Sequence, residues 1–319
     1  MSKKSFVVFG AIGAVVLFAI MSWPQKREEV REVILIDEPL VATQGEILQA
    51  TPGSLEPLCD SAQLSADVDR MAQIFHPYHS PLPIVETVNY VSRVPWVTGR
   101  SAFLGDYAAH YKTSKHFISR SLHGIGNYLS DAVQNGEAFN VLREDKEIEF
   151  HLVLDLSRLK MRLYYYDVGE QNRCLLKSYP VCCGELNSRK ASGSLTPTGT
   201  FSLGDEIAVY REGMIGSVKN KPLEMVTVFG TRWIPMDAGI ANCTGSCKGI
   251  GIHGVPWRRD KGGELVEKRD CMGHYEGNGC IRLLTEDMEE LFALIVSRPA
   301  YIHIVKDFSF AQLPGKEIF

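Results

Sequence analysis

The sequence predicts a mainly β domain with one packed helix, preceded by a small α+β module and an apolar N-terminal segment. Three observations predict this. "FHLVLDL" (150–156) alternates and is followed across Ser157-Arg158 by "RLKMRLYYY", a hairpin signature. Downstream, Met288, Leu291, Phe292 and Ile295 form an apolar stripe at helical spacing. Between Val94 and Val141 short helical and strand patterns are mixed. With 319 residues and 45% hydrophobic content, the chain can build one or two cores. A formal charge of −4 and the lack of a long basic stretch exclude a nucleic-acid binder held by phosphate neutralisation.

Taken in order, Lys3 and Lys4 precede an uncharged run from Phe6 to Trp23, closed by an interfacial-type tryptophan and Pro24. Residues 1–23 read as an uncleaved single-pass anchor rather than a signal peptide. No small-x-small cleavage site follows the run, and no cysteine for lipidation. The remainder would then lie on the outer, periplasmic side of a bacterial inner membrane. Residues 24–92 read as a stalk or linker, acidic and punctuated by proline and glycine up to residue 60. Within it, Leu64, Val68, Met71 and Phe75 suggest a helix over 61–75, and "HPYH" (76–79) suggests a turn rather than a metal site.

Residues 93–145 form the α+β module. Helices are expected from Gly105-Asp106 and from about Lys115, with a turn into a strand at "NGEAFNVL" (135–142). Strand, two short helices and a returning strand resemble a LysM-type module, which would bind glycan strands. The main domain runs over 149–306, with further strands at "SYPVCCG", "TPTGTFSLG", "MVTVFG" (225–230) and "AYIHIV" (300–305). Thr285 is placed to cap its helix, with Glu286 and Asp287 at the positive end. Tyr164, Tyr165 and Tyr166 read as strand residues, and His151 and His303 as packing or hydrogen-bonded residues. Residues 307–319 read as a tail.

The chemistry centres on "GHYEGNGCIRLL" (273–284). Glycines before Cys280 imply a tight turn that approaches something closely. A cysteine nucleophile needs a base, and "GIGIHGVPW" delivers His253 from a strand end. A backbone carbonyl at Gly254 or a neighbour would hold the other ring nitrogen. Amides near Asn278, Gly279 and Cys280 would form an oxyanion site, a donor of that kind contributing roughly 3–4 kcal/mol to the transition state. Arg282, two residues on, would point to the same side and bind a carboxylate or brace the loop. His274 is a rival base, but reads more simply as a surface histidine.

"IHG" followed by "GCIRL", after "YPVCCG" and "TPTGTF", resembles the L,D-transpeptidase catalytic domain, the YkuD-like family, across about residues 149–306. The resemblance implies a β-sandwich and a cysteine enzyme of peptidoglycan and cell shape. Cys280 would attack a stem tetrapeptide and release D-Ala. The thioester would pass to an amine, commonly that of a second diaminopimelate, or to water. His253 would be the general base, and no metal or organic cofactor is needed. The alternatives are a carboxypeptidase-type hydrolase and an inactive peptidoglycan-binding protein. Two features depart from the family pattern. The charged insert "RRDKGGELVEKRD" lengthens the His253–Cys280 interval, and Gly277-Asn278 replaces the usual Ser/Thr-His.

Of the eight cysteines, Cys243, Cys247 and Cys271 with His274 are an acceptable zinc set, with disulfides among the three cysteines the preferred reading in an oxidising compartment. Cys182 and Cys183 should face opposite sides of a strand. Cysteine density near Cys280 also suggests that a neighbouring thiol could oxidise onto it and switch activity off.

Overall fold

The computed structural model describes residues 55–57, 68–124, 132–218 and 220–318. The anchor segment from Phe6 to Trp23 lies outside the described residues, and so does the first half of the helix expected over 61–75. Among the described residues no helix is long and apolar enough to cross a membrane.

The first elements are strand β1 (Leu55–Pro57), helix α1 (Met71–Phe75) and strand β2 (Val85–Asn89). They are followed by α2 (Leu104–His110), α3 (Lys115–His123) and β3 (Ala138–Leu142). Since β2 pairs antiparallel with β3 around the two helices, the expected strand–helix–helix–strand order is present. Its first strand begins upstream of residue 93, in the segment read as a stalk. The module is packed onto the main domain. Ser114 caps α3 by accepting from the Phe117 N–H at 3.0 Å, and donates its hydroxyl to the Ala293 carbonyl at 3.1 Å.

The main domain opens with β4 (Ile148–Asp155), β5 (Lys160–Asp167) and β6 (Asn172–Pro180), a meander. Then come β7 (Gly199–Leu203), β8 (Ala208–Val209), the hairpin β9 (Ile215–Val218) and β10 (Lys221–Glu224), and helix α4 (Val226–Phe229). Next are β11 (Arg232–Ala241), β12 (Gly251–Gly254), the hairpin β13 (Trp257–Arg259) and β14 (Leu265–Glu267), and β15 (Ile281–Leu283). The chain finishes with α5 (Thr285–Ile295), β16 (Ala300–Val305), β17 (Gln312–Pro314) and β18 (Lys316–Glu317). The main sheet runs β15-β12-β11-β7-β16-β4-β5-β6-β18, with β8 also on β11. Its pairings are antiparallel except β12–β15, β4–β16 and β6–β18. The architecture is mainly β with few helices, consistent with a β-sandwich.

Alternation explains why β4 is buried almost throughout. Phe150, Leu152 and Leu154 face the main core, while Val153 faces a second cluster with Tyr164, Phe308 and Leu313. Tyr165 turns into the main core and Tyr166 lies edge-on to His151, so the tyrosines are strand residues as expected. Residues 307–318, expected as a tail, close that second face, and β18 pairs with β6.

Helix α5 lies against this core through Met288, Leu291, Phe292 and Ile295, all buried. Its start differs in detail from expectation. Thr285 is the first helical residue and its N–H donates to the Glu267 carboxylate at 2.6 Å, so the charged insert supplies the cap. The insert forms the β13–β14 hairpin. The strand expected over 225–230 is α4, a single helical turn. Val226 and Phe229, three residues apart, both turn inward, and Gly230 at φ +61° ends the turn with its N–H on the Val226 carbonyl.

Lys177 on β6 lies 2.7 Å from Glu290 on α5 and 3.3 Å from Asp69 ahead of α1. Arg120 on α3 adds a contact to Glu290 at 3.6 Å. Module, sheet and helix are thus joined by one ion-pair network as well as by a shared apolar core.

Candidate active site

β12 and β15 carry the site. They pair in parallel, with His253 opposite Arg282 and Ile252 opposite Ile281. Paired residues on neighbouring strands present their side chains to the same face, and residues two apart share a face. His253, Arg282 and, one step before β15, Cys280 therefore gather on one side. The intervening Ile252, Ile281 and Leu283 point into the main core. This is the arrangement the sequence predicts for Arg282 and Cys280.

His253 is 3% exposed. Its Nδ1 lies 2.7 Å from the Gly254 carbonyl, as expected for a backbone acceptor there. The protonated Nδ1 donates to that oxygen, which leaves Nε2 as the basic nitrogen. Phe229 meets the ring edge-on at 5.5 Å between centroids, and Trp233 lies tilted at 5.8 Å. Burial first, and the Arg282 charge second, hold the imidazole down at about 3, against the pull of the Gly254 and Phe229 carbonyls. The ring is therefore neutral at pH 7.

Cys280 is half-buried, its sulfur 3.8 Å from the Gly249 carbonyl. Burial pushes its thiol up, while the Gly251 N–H and Arg282 pull it back. Among the described residues, the N–H groups of Asn278 and Gly279 donate to no backbone carbonyl. The Asn278 residue is exposed and Gly279 buried. His274 is exposed, which agrees with its reading as a surface histidine.

The loop is held from beneath by residues that the sequence does not single out. Thr196 is fully buried, and its hydroxyl donates to the Gly279 carbonyl and accepts from the Gly184 N–H, both at 2.9 Å. Ser194 donates to the Gly184 carbonyl at 2.6 Å. At this point the two backbones touch: a β-carbon on Gly184 would sit 2.5 Å from the Gly279 Cα. The available signal is the run of small hydroxyl residues at 192, 194 and 196 leading into "TPTGTF".

Gly277 explains one departure from the family pattern. It adopts φ +99°, and a β-carbon there would run into the Arg282 guanidinium. The arginine lies under the loop, its side chain 15% exposed and 3.8 Å from Glu276. Glycine at 277 thus makes room for the arginine side chain.

The cysteines divide. Cys183 faces the main core and Cys182 a separate cluster with Val255 and Cys271, the opposite-face arrangement expected. Cys243 lies beside the Thr200 carbonyl and Cys247 beside that of Asp237, while Cys271 packs with Cys182. The grouping of Cys271 with Cys243 and Cys247 is therefore corrected: the last turn before the loop carries Cys271 to the wall formed by residue 182. Among the described residues no three histidine, cysteine or acidic side chains gather to hold a metal.

A thiol and a neutral imidazole on one face, beside unclaimed backbone N–H groups, are the equipment of covalent acyl transfer. Residues 149–304 match the YkuD family, the L,D-transpeptidase catalytic domain. The matched family is usually enzymatic and cysteine-based. The match leaves the α+β module outside, and the comparisons give no support to a LysM identity for it. No curated protein matches the chain. Among solved structures it is similar to the helical cell shape determining protein Pgp2 from Campylobacter jejuni, at 16% identity and a TM-score of 0.34. That alignment covers 53% of this chain and 51% of the other. A point mutant of the same protein aligns at 16% identity and a TM-score of 0.33, over 53% of this chain and 50% of the other. The chain thus spans about half the length of these structures.

Proposed function

We propose that the chain is a peptidoglycan L,D-transpeptidase. The Cys280 thiol loses its proton to Nε2 of His253, and its sulfur attacks the carbonyl preceding the terminal D-Ala of a stem tetrapeptide. The backbone N–H groups of Asn278 and Gly279 stabilise the oxyanion. The tetrahedral intermediate expels D-Ala as the amine, which takes the proton back from His253. A thioester remains on Cys280. An amine acceptor, commonly that of a second stem peptide, repeats the steps in reverse order and frees the enzyme. Arg282 braces the loop.

The observation that carries this reading is the parallel register of β12 and β15. It sets His253 beside Arg282 on the face where Cys280 enters the strand. The free site holds both groups neutral, and the proton moves as substrate fills the cleft and the sulfur attacks.

The test is full-length protein with tetrapeptide muropeptides, beside Cys280→Ala, with products followed by mass. D-Ala loss with new cross-linked dimers, abolished in Cys280→Ala, is the expected result. D-Ala loss without dimers would replace transfer by hydrolysis, and no release would leave a binding protein. We also place the catalytic domain in the periplasm, held by the Phe6–Trp23 segment in the inner membrane; its apolar run supports this. Protease protection of the domain in intact spheroplasts would refute that placement.

A further inference from the structure

We propose that Cys182 and Cys271 form a disulfide that clamps the loop leading to Cys280 against the wall behind it. Cys182 follows β6, and its backbone pairs with Arg282 in both directions, N–H to carbonyl at 3.0 Å and 2.9 Å. Cys271 ends a short 3-10 turn at Arg269–Cys271 and opens the loop that reaches Cys280. The two segments run side by side: the Gly273 N–H donates to the Val181 carbonyl at 3.1 Å, and the Cys183 N–H to the His274 carbonyl at 3.3 Å. Two residues before this register, Cys271 turns back onto the same wall and packs against Cys182. Both side chains are buried, at 0% and 1% exposure, in one small apolar cluster. Around them the Cys182 thiol contacts the Glu276 carbonyl at 3.6 Å and the Cys271 thiol the Lys268 carbonyl at 3.3 Å.

The pair is unequal, as exchange chemistry requires. The neighbouring Cys271 thiol, and then the Arg282 charge, bring Cys182 down to about 7 against its burial, whereas Cys271 is pushed up. Cys182 is therefore the attacking thiolate. The oxidant is a disulfide, either a small molecule or a dithiol oxidase in its oxidised form. Cys182 attacks one of its sulfurs and releases the other as a thiolate, giving a mixed disulfide. Cys271 then loses its proton to solvent, attacks the Cys182 sulfur and expels the second thiolate. Two protein thiols are oxidised, and one external disulfide is reduced to two thiols. Since both sulfurs are buried, the exchange is slow in the closed fold and faster when the loop opens. Neither neighbour competes: Cys183 faces the main core, and the Cys280 sulfur contacts the Gly249 carbonyl.

The test is full-length protein brought to equilibrium in oxidised and reduced glutathione mixtures with sub-denaturing urea. Free thiols are then alkylated, and peptides are mapped with fragmentation between Cys182 and Cys183. The expected result is a Cys182–Cys271 cross-link, with Cys280 still alkylated. The melting temperature should rise by roughly 5 °C on oxidation, and this rise should vanish in Cys271→Ser. Alkylation of both residues in the fully oxidised mixture, or cross-links of either to a different cysteine, would overturn the proposal. The peptide map reads the bond directly, so its outcome is independent of whether the chain proves to be a transpeptidase.

Discussion

Thr196→Val is the sharpest probe of how the loop before Cys280 is held. Valine keeps the size and branching of threonine, so it opens no cavity, but it removes both bonds of the hydroxyl. The Gly184 N–H and the Gly279 carbonyl, each 2.9 Å from that oxygen, are then left without a partner in a buried place. An unsatisfied buried polar group costs about 1–3 kcal/mol, so the pair should destabilise the fold by about 2–6 kcal/mol. Thr196→Ser separates this effect from packing: it keeps the hydroxyl and gives up one methyl, about 1 kcal/mol. Urea unfolding should place Val well below Ser. Gly279 directly precedes Cys280, so on the proposed function the release of D-Ala from tetrapeptide muropeptides, followed by mass, should also slow. A displacement of about 1 Å in a reacting group can lower a rate about a hundredfold. If Val and Ser unfold within about 0.5 kcal/mol of each other, the hydroxyl bridge contributes nothing, and the account of the loop fails.

Gly277→Ala should destabilise by about 1–2 kcal/mol through its left-handed backbone alone, and by more through the Arg282 clash. Thermal melts of Gly277→Ala with and without Arg282→Ala should show that removing the arginine lessens the penalty; equal penalties would refute the clash. Alkylation of Cys280 by iodoacetamide should climb with pH from 7 to 9 without a plateau, because burial keeps the thiol protonated. A plateau reached by pH 7 would instead reveal a preformed thiolate–imidazolium pair. Stability should also fall as pH drops from 7 to 5. His253 and His303 are buried neutral at about 3 in the fold, but titrate near 6.5 when unfolded, so the unfolded chain gains protons first. At pH 5 each contributes a loss of about 2 kcal/mol, read from urea midpoints; His303→Gln should remove its share.

Much of this was legible in the sequence because it rests on local periodicity. The β4–β5 hairpin, the buried stripe of α5 and the strand at Ala300–Val305 each announce themselves within a dozen residues. So does the shared face of Cys280 and Arg282, which follows from strand alternation. What was not legible depends on contacts distant in sequence. Val226–Phe229 is too short for two-residue and helical periods to be told apart, and it forms a helical turn that buries both ends in one cluster with Tyr210. Thr196 shows its role only when the loop at Gly279 folds back over it, and Cys271 meets Cys182 only through the pairing of residues 273–274 with residues 181–183. The start of α5 differs by one residue from the cap the sequence suggests, because its cap comes from Glu267, in an insert with no periodic signal.

The shared core has a consequence for how the protein can be taken apart. The family match ends at residues 149 and 304, but the folding unit does not. Ile74, Phe75, Ile84 and Phe117 lie in the same apolar cluster as Phe150 and Leu291, and Leu313 seals the opposite face of β4. Fully burying each such side chain is worth about 1.5–3 kcal/mol, so a fragment trimmed to the matched residues would forfeit several of them together. It would also strand Glu290 and Lys177 without Arg120 and Asp69. What the family match delimits as one domain stands here inside a larger packed body. Loss of activity after deleting the N-terminal module would thus report on the integrity of the fold before it reported on any binding by that module.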